Sequence, residues 1–325
     1  MTPVGELVVE DLSTAPDPRF RPILDTLARL VADDPGRRDL EVVVQCEGVE
    51  ALRARIGSAA PTAAPLVAVC GSAFKPVVAL ALLQVLHDAG IDPDEPLAPH
   101  GVHLADGGTT GRHVIDHRAG LPQIRDLAPE PAGLADGAAI VAALRRTPPI
   151  WEPGIRSAYH AISYGYLVEA VISDLTGGGT PMADLVRDRV LRPAGVRPDE
   201  VALPWSTDGP EVTDLFVTGQ SPIPWRPQGR SLIYRATYAL PDLVDHLNRA
   251  ARGTDPPLSC GVPCTASALA GLYGALIAPS NARPGLPDEV RVARATPSAP
   301  GFDQVLRQRL TWSGGTLVGA GLRRA

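Results

Sequence analysis

The chain has 325 residues, 45% of them hydrophobic and 20% charged, which is enough apolar material for a substantial buried core. Its formal net charge of −6, with no basic cluster, argues against nucleic acid or an anionic membrane surface and leaves small molecules as partners. No run of about 18 apolar residues is present, and the first eleven residues have neither a basic n-region nor an apolar h-region, so a cytoplasmic protein without a membrane span is expected.

Residues 1–20 are mixed and Pro-bearing and read as a loose lead-in. The spacing of Ile23, Leu24, Leu27, Leu30 and Val31 predicts a helix over 21–32. Residues 40–46 read as a strand, Glu47-Gly48 as a turn, and a second short extended segment follows. A further apolar extended run over 65–70 ends at Gly71, and from Ser72 the pattern turns helical as far as about residue 89, with Gly90 as its cap. The region to Gly108 is poor in regular structure. A short helix is predicted over 109–117, broken by Arg118-Ala-Gly-Leu-Pro122. Helices follow over 137–146, 162–175 (closed by Gly177-Gly-Gly179) and 182–190, so residues 80–200 are mainly helical. Residues 201–230, with many prolines and with Trp205 and Trp225, read as an ordered loop or lid. Two more helices are predicted over 241–251 and 266–277, and 310–322 has strand-like content.

The chemistry concentrates at Gly71-Ser72-Ala-Phe-Lys75. Ser72 falls at a helix start and Lys75 one turn further along the same face, so hydroxyl and amine can meet. Lys75 is the only lysine; every other member of the Lys+Arg count of 30 is arginine. Arginine keeps its charge at any working pH, whereas a lysine removed from water can become a general base. Coding bias explains the missing lysines and leaves the survivor unexplained.

Other polar residues point less sharply. His113 and His117 have the i, i+4 spacing of metal ligands, but no Glu follows His113 and no third ligand stands out, so no metal and no cofactor is expected. His117 reads as structural, holding the Arg118-Ala-Gly turn. Cys46, Cys70, Cys260 and Cys264 make no disulfide framework in a chain of this size and read as buried free thiols.

Several separated stretches together resemble one family. Ser72-Ala-Phe-Lys75 before a long helix is similar to the S-x-x-K tetrad of the class C β-lactamase, penicillin-binding protein and family VIII esterase group. Thr110 to Pro122 resembles its T-x-x-x-L-L-x-H-x-x-G-L-P segment, and Pro153-Gly154 through Tyr159 to Tyr166-Leu167 its P-G-x-x-x-x-Y-x-x-x-x-x-G-Y-L segment. Val190-Leu-Arg-Pro-Ala-Gly195 and residues 266–276 match two later motifs, and the likeness runs from about 38 to 315. The resemblance implies an α/β (α+β) fold: an antiparallel sheet domain flanked by helices, from residues 1–80 plus 255–325, with a mainly helical domain, 81–254, inserted. It implies that Ser72 is acylated, that Lys75 takes its proton, and that Tyr159 shares the base role.

Two departures qualify it. The family's Asn two residues after the tyrosine is Ala161 here, which moves the expectation from β-lactams towards esters. The family's K-T-G or H-x-G strand has no obvious counterpart: either Trp312-Ser-Gly-Gly315 serves in its place or the strand is absent. On the first alternative Trp312, Ser313 and Gly314 bind substrate. His160 either lines the pocket or sits at the surface, and Trp151, Trp205 and Trp225 either wall an apolar acyl pocket or fill the seam between domains. The leading expectation is a serine acyl hydrolase or acyltransferase acting on a small ester or amide, with or without a second acyl acceptor. The alternative is a catalytically silent scaffold of the same fold.

Overall fold

The computed structural model describes residues 8–11, 13, 17–32, 40–46, 49–57, 66–203, 211–215, 217, 231–251, 257–277 and 287–318. Its centre is helix α2, Lys75–Asp88, which follows α1, Arg21–Ala32. Lys75 through Leu86 are all buried, so α2 is apolar around its whole circumference, as a helix enclosed by neighbours must be. Each fully buried Val or Leu on it contributes about 1.5–3 kcal/mol. The neighbours are α3 (Gly111–Ile115), α5 (Ser163–Thr176), α6 (Met182–Val186, continued by a π turn over Arg187–Leu191) and α10 (Asp288–Ala295). Helix α4, Gly137–Arg146, packs on α5; the other α-helices among the described residues are α7 (Leu232–Ala236), α8 (Leu240–Ala250) and α9 (Ala266–Ile277).

Helix ends follow local chemistry. The Asp136 carboxylate accepts from Ala139 N–H at the start of α4, and Gly177 closes α5. At α3, Thr110 Oγ1 accepts from His113 N–H while His113 Nδ1 accepts from Thr110 N–H, a reciprocal cap with histidine in the usual Glu position. That hydrogen bond occupies Nδ1 of His113, the first member of the i, i+4 histidine pair.

Among the described residues the strands form three three-stranded sheets. In the first, β1 (Val8–Asp11) and β2 (Leu40–Cys46) flank β3 (Val49–Gly57), all antiparallel, with a register shift at Val44/Gln45. Part of the expected loose lead-in is therefore an edge strand. In the second, β4 (Val67–Val69) pairs parallel with β5 (Val212–Thr213) and antiparallel with β6 (Pro263–Cys264). The third is a meander of β7 (Gly301–Phe302), β8 (Arg309–Ser313) and β9 (Thr316–Val318). Trp205 and Trp225, most of the expected lid, and the Glu47-Gly48 turn lie outside the described residues. All four cysteines are free; Cys260 and Cys264 are buried, but Cys46 and Cys70 are only half-buried. Among the described residues no helix is long and apolar enough to cross a membrane.

Candidate active site

Strand β4 delivers the nucleophile. Cys70 N–H still bonds Val262 O across the β4–β6 pair, at 3.0 Å; Gly71 then adopts φ +59°, which reverses the chain cheaply only because it has no Cβ. A single 3-10 turn, Gly71–Phe74, runs directly into α2, so the helix proper begins at Lys75 and not at Ser72 as expected. Ser72 is exposed on that turn; Lys75, three residues on, is only 1% exposed.

Three acceptors surround the Lys75 amine. Its Nζ donates to Ser72 Oγ at 3.1 Å, Ala161 O at 2.7 Å and Ser259 O at 2.9 Å. The rings of Tyr159 and Tyr164 lie 5.0 and 5.9 Å away. At position 161 it is the main-chain carbonyl, and not a side chain, that reaches Lys75. Ser259, which sequence reading missed, is the second post: its hydroxyl donates to Ile162 O at 2.7 Å while its carbonyl reaches Lys75. The close approach needs Gly165, where a Cβ would lie 2.9 Å from Ser259 N.

Tyr159 is half-buried and held from both sides. Its N–H donates to Asp303 Oδ1 at 3.1 Å, and Asp303, fully buried, also accepts from Val305 N, Leu306 N and Ser157 Oγ. The ring stacks on Trp312, 5.5 Å between centroids and 1° from parallel; Trp312 Nε1 donates to Ser157 Oγ at 3.0 Å. Asp303 was also missed; an Asx-type turn over 303–306 is the local signal that could have drawn notice.

Three expectations need correcting. His160 is fully buried: Nε2 accepts from Leu121 N–H and Nδ1 faces Ala158 O at 2.6 Å, so it lines no pocket and is not at the surface. Burial pushes it down to about 4. Ser313 and Gly314 face α10, where Ser313 Oγ donates to Arg294 O at 2.6 Å and Gly314 abuts Arg294. Of the four expected substrate-binding residues only Trp312 is brought against Tyr159. The β8–β9 turn does reach the start of α2, because Gly315 at φ +74° sits where a Cβ would lie 2.7 Å from Tyr164 Oη and 3.4 Å from Lys75 O. The third correction is His117, whose carbonyl and ring bond residues 158 and 160 and not its own turn.

Behind this turn lies Asp116, fully buried, with neither carboxylate oxygen hydrogen-bonded among the described residues. Burial raises its pKa to about 6, against the pull of Arg112 and Arg118. No group of three His, Cys, Asp or Glu among the described residues converges as a metal site. The arrangement supplies an exposed hydroxyl, an amine in contact with it and a positioned phenol, which is the equipment of nucleophilic catalysis.

Solved structures share the overall fold of this chain. Among solved structures, a family VIII carboxylesterase is 20% identical, with a TM-score of 0.76 over 97% of this chain and 84% of its own. A penicillin-binding protein homolog from Caulobacter crescentus is 20% identical, with a TM-score of 0.74 over 96% and 83%. EstA from Arthrobacter nitroguajacolicus Rue61a is 19% identical, with a TM-score of 0.72 over 94% and 82%. At such identities these structures establish a shared fold. No curated protein matches the sequence. The Beta-lactamase family model matches residues 27–316 and takes in Ser72, Lys75 and Tyr159, and the chain belongs to that family of serine hydrolases.

Proposed function

We propose that the protein is a serine ester or amide hydrolase that works through an acyl-enzyme on Ser72. The observation that carries this reading is the seat of Lys75. A neutral amine has two N–H groups and one lone pair; with Ala161 O and Ser259 O taking the two hydrogens, the lone pair falls towards the third neighbour, Ser72 Oγ. The two carbonyls thereby aim the base. Lys75 takes the Ser72 proton as Oγ attacks the acyl carbon, and Tyr159 relays that same proton from Lys75 to the departing alcohol or amine, so both side chains end the step as they began it. The N–H of Ser72, at the start of its helical turn, serves the developing oxyanion. Water then attacks the ester carbonyl, giving a proton to the Lys75–Tyr159 pair, which returns it to Ser72 Oγ as the acid leaves.

Because Ser72 is exposed, an added alcohol or amine can compete with water, so acyl transfer is a side path of the same intermediate. One structural relative is described as a hydrolase with promiscuous acyltransferase activity; it is 18% identical, with a TM-score of 0.55. In this reading residues 1–80 with 255–325 carry the nucleophile, and 81–254 carry the tyrosine.

Turnover of p-nitrophenyl esters by the wild type, Lys75→Arg and Tyr159→Phe tests it. Arginine cannot act as a base, so Lys75→Arg should lose about 10³-fold in kcat/KM or more, and Tyr159→Phe about 10²-fold. A folded Lys75→Arg variant with wild-type turnover would overturn the mechanism. No turnover by the folded wild type would favour the silent scaffold.

A further inference from the structure

We propose that His117 is the positioning residue for Tyr159, fixing the main chain on both sides of the phenol and the ring itself. The inference rests on the proposed role of Tyr159 in proton transfer.

His117 has φ +59°, a left-handed conformation that costs a non-glycine residue about 1 kcal/mol or more. What this conformation gains is visible in its contacts. The His117 carbonyl accepts from Ala158 N–H at 3.0 Å, and its Nδ1 accepts from His160 N–H at 3.1 Å. One residue thus grips the two peptide groups that bracket Tyr159. Its ring also meets both members of the stacked pair, edge-on to Tyr159 at 4.8 Å and to Trp312 at 4.3 Å, with Tyr164 at 4.8 Å beyond.

The imidazole is retained at a cost. With Nδ1 an acceptor, the proton sits on Nε2, which is buried and has no hydrogen-bond partner among the described residues. Such an orphan costs about 1–3 kcal/mol, and an aliphatic side chain would fill the same space without it. The use that remains is Nδ1. Burial, together with the neighbouring His160 and Lys75, holds the ring well below its ordinary pKa, so Nδ1 stays an acceptor at neutral pH.

Three variants of the full chain separate positioning from folding, each measured for ester turnover and thermal unfolding beside Tyr159→Phe. His117→Asn tolerates the left-handed backbone and sets an amide oxygen near the place of Nδ1. It should unfold earlier, having lost the ring, yet keep kcat within about fivefold. His117→Gly relaxes the backbone but has no acceptor and no ring; kcat should fall about 50-fold, with KM changed less than about threefold. His117→Ala should lose both stability and kcat. If His117→Gly keeps wild-type kcat while Tyr159→Phe is slow, the inference fails and the base role stands. The inference also fails if kcat follows the melting temperature across the three variants, with His117→Asn no better than its stability predicts. If Tyr159→Phe turns over as fast as the wild type, the reading of Tyr159 fails and takes the inference with it. Should His117→Gly not fold, the Asn and Ala variants decide between the same outcomes.

Discussion

Lys75 and Tyr159, whose ring lies 5.0 Å from the amine, are held by different kinds of group. Lys75 rests on two main-chain carbonyls, Ala161 O and Ser259 O, which every residue type supplies. Tyr159 rests on side chains: the Asp303 carboxylate, the His117 imidazole and the Trp312 ring. A seat built from carbonyls survives substitution wherever the backbone keeps its course, whereas a seat built from side chains can be dismantled one residue at a time.

The largest effect should come from breaking the tyrosine seat. Asp303→Ala leaves three N–H groups and the Ser157 hydroxyl without their acceptor, so a stability loss of about 3 kcal/mol and a fall in kcat of about 100-fold are expected. Denaturant unfolding and ester turnover measure the two separately.

Next comes Asp116, which stands beside the same seat. Its folded pKa of about 6 lies above the ordinary 3.8, so the folded state holds the proton more tightly than the unfolded chain. That stabilisation is fully present below about pH 4 and is lost as pH rises through 6, where the wild type must bury a bare carboxylate. Asp116→Asn has no charge to bury. It should exceed the wild type in stability by about 2–3 kcal/mol at pH 8, with the difference closing towards pH 4 in unfolding curves taken across that range.

On the lysine side the vulnerable point is the path of the backbone. A Cβ at residue 165 would come within 2.9 Å of Ser259 N, so Gly165→Ala should cost about 1–3 kcal/mol by overpacking and should lower kcat by displacing Ser259 O from Lys75. Thermal unfolding and turnover report both. Ala161→Ser, by contrast, keeps its carbonyl and should change turnover by no more than about threefold, the smallest effect of the set. A large loss there would mean that the side chain at 161 matters more than its carbonyl.

The same division governs what the sequence could disclose. Ser72 and Lys75 are three residues apart at the start of a helix, so helical geometry alone brings them together, and the lone lysine marks the pair. Tyr159 was reached through the family motif around it. The contacts of its supports were not legible: His117 read as structural for its own turn and Asp303 was missed, because they accept from Tyr159 and His160 N–H groups 144 (Asp303) and 43 (His117) residues away, and no periodicity records contacts of that range. Ser259 holds Lys75 across 184 residues through a carbonyl, which leaves no trace in residue type. The long apolar helices were legible from their spacing. Helix α10 was not, because Val290 is its sole buried residue; nor was β1, a four-residue strand in a Pro-bearing region that extended pairing with β3 recruits into the first sheet.

The most direct test of the account is intact mass after brief exposure to an activated aryl ester and, separately, to a fluorophosphonate, for the wild type and Ser72→Ala. A single acyl or phosphonyl adduct on the wild type that is absent from Ser72→Ala is the predicted result. An unmodified wild type, folded and at high reagent excess, or an adduct that survives Ser72→Ala, would contradict the assignment of Ser72 as the nucleophile.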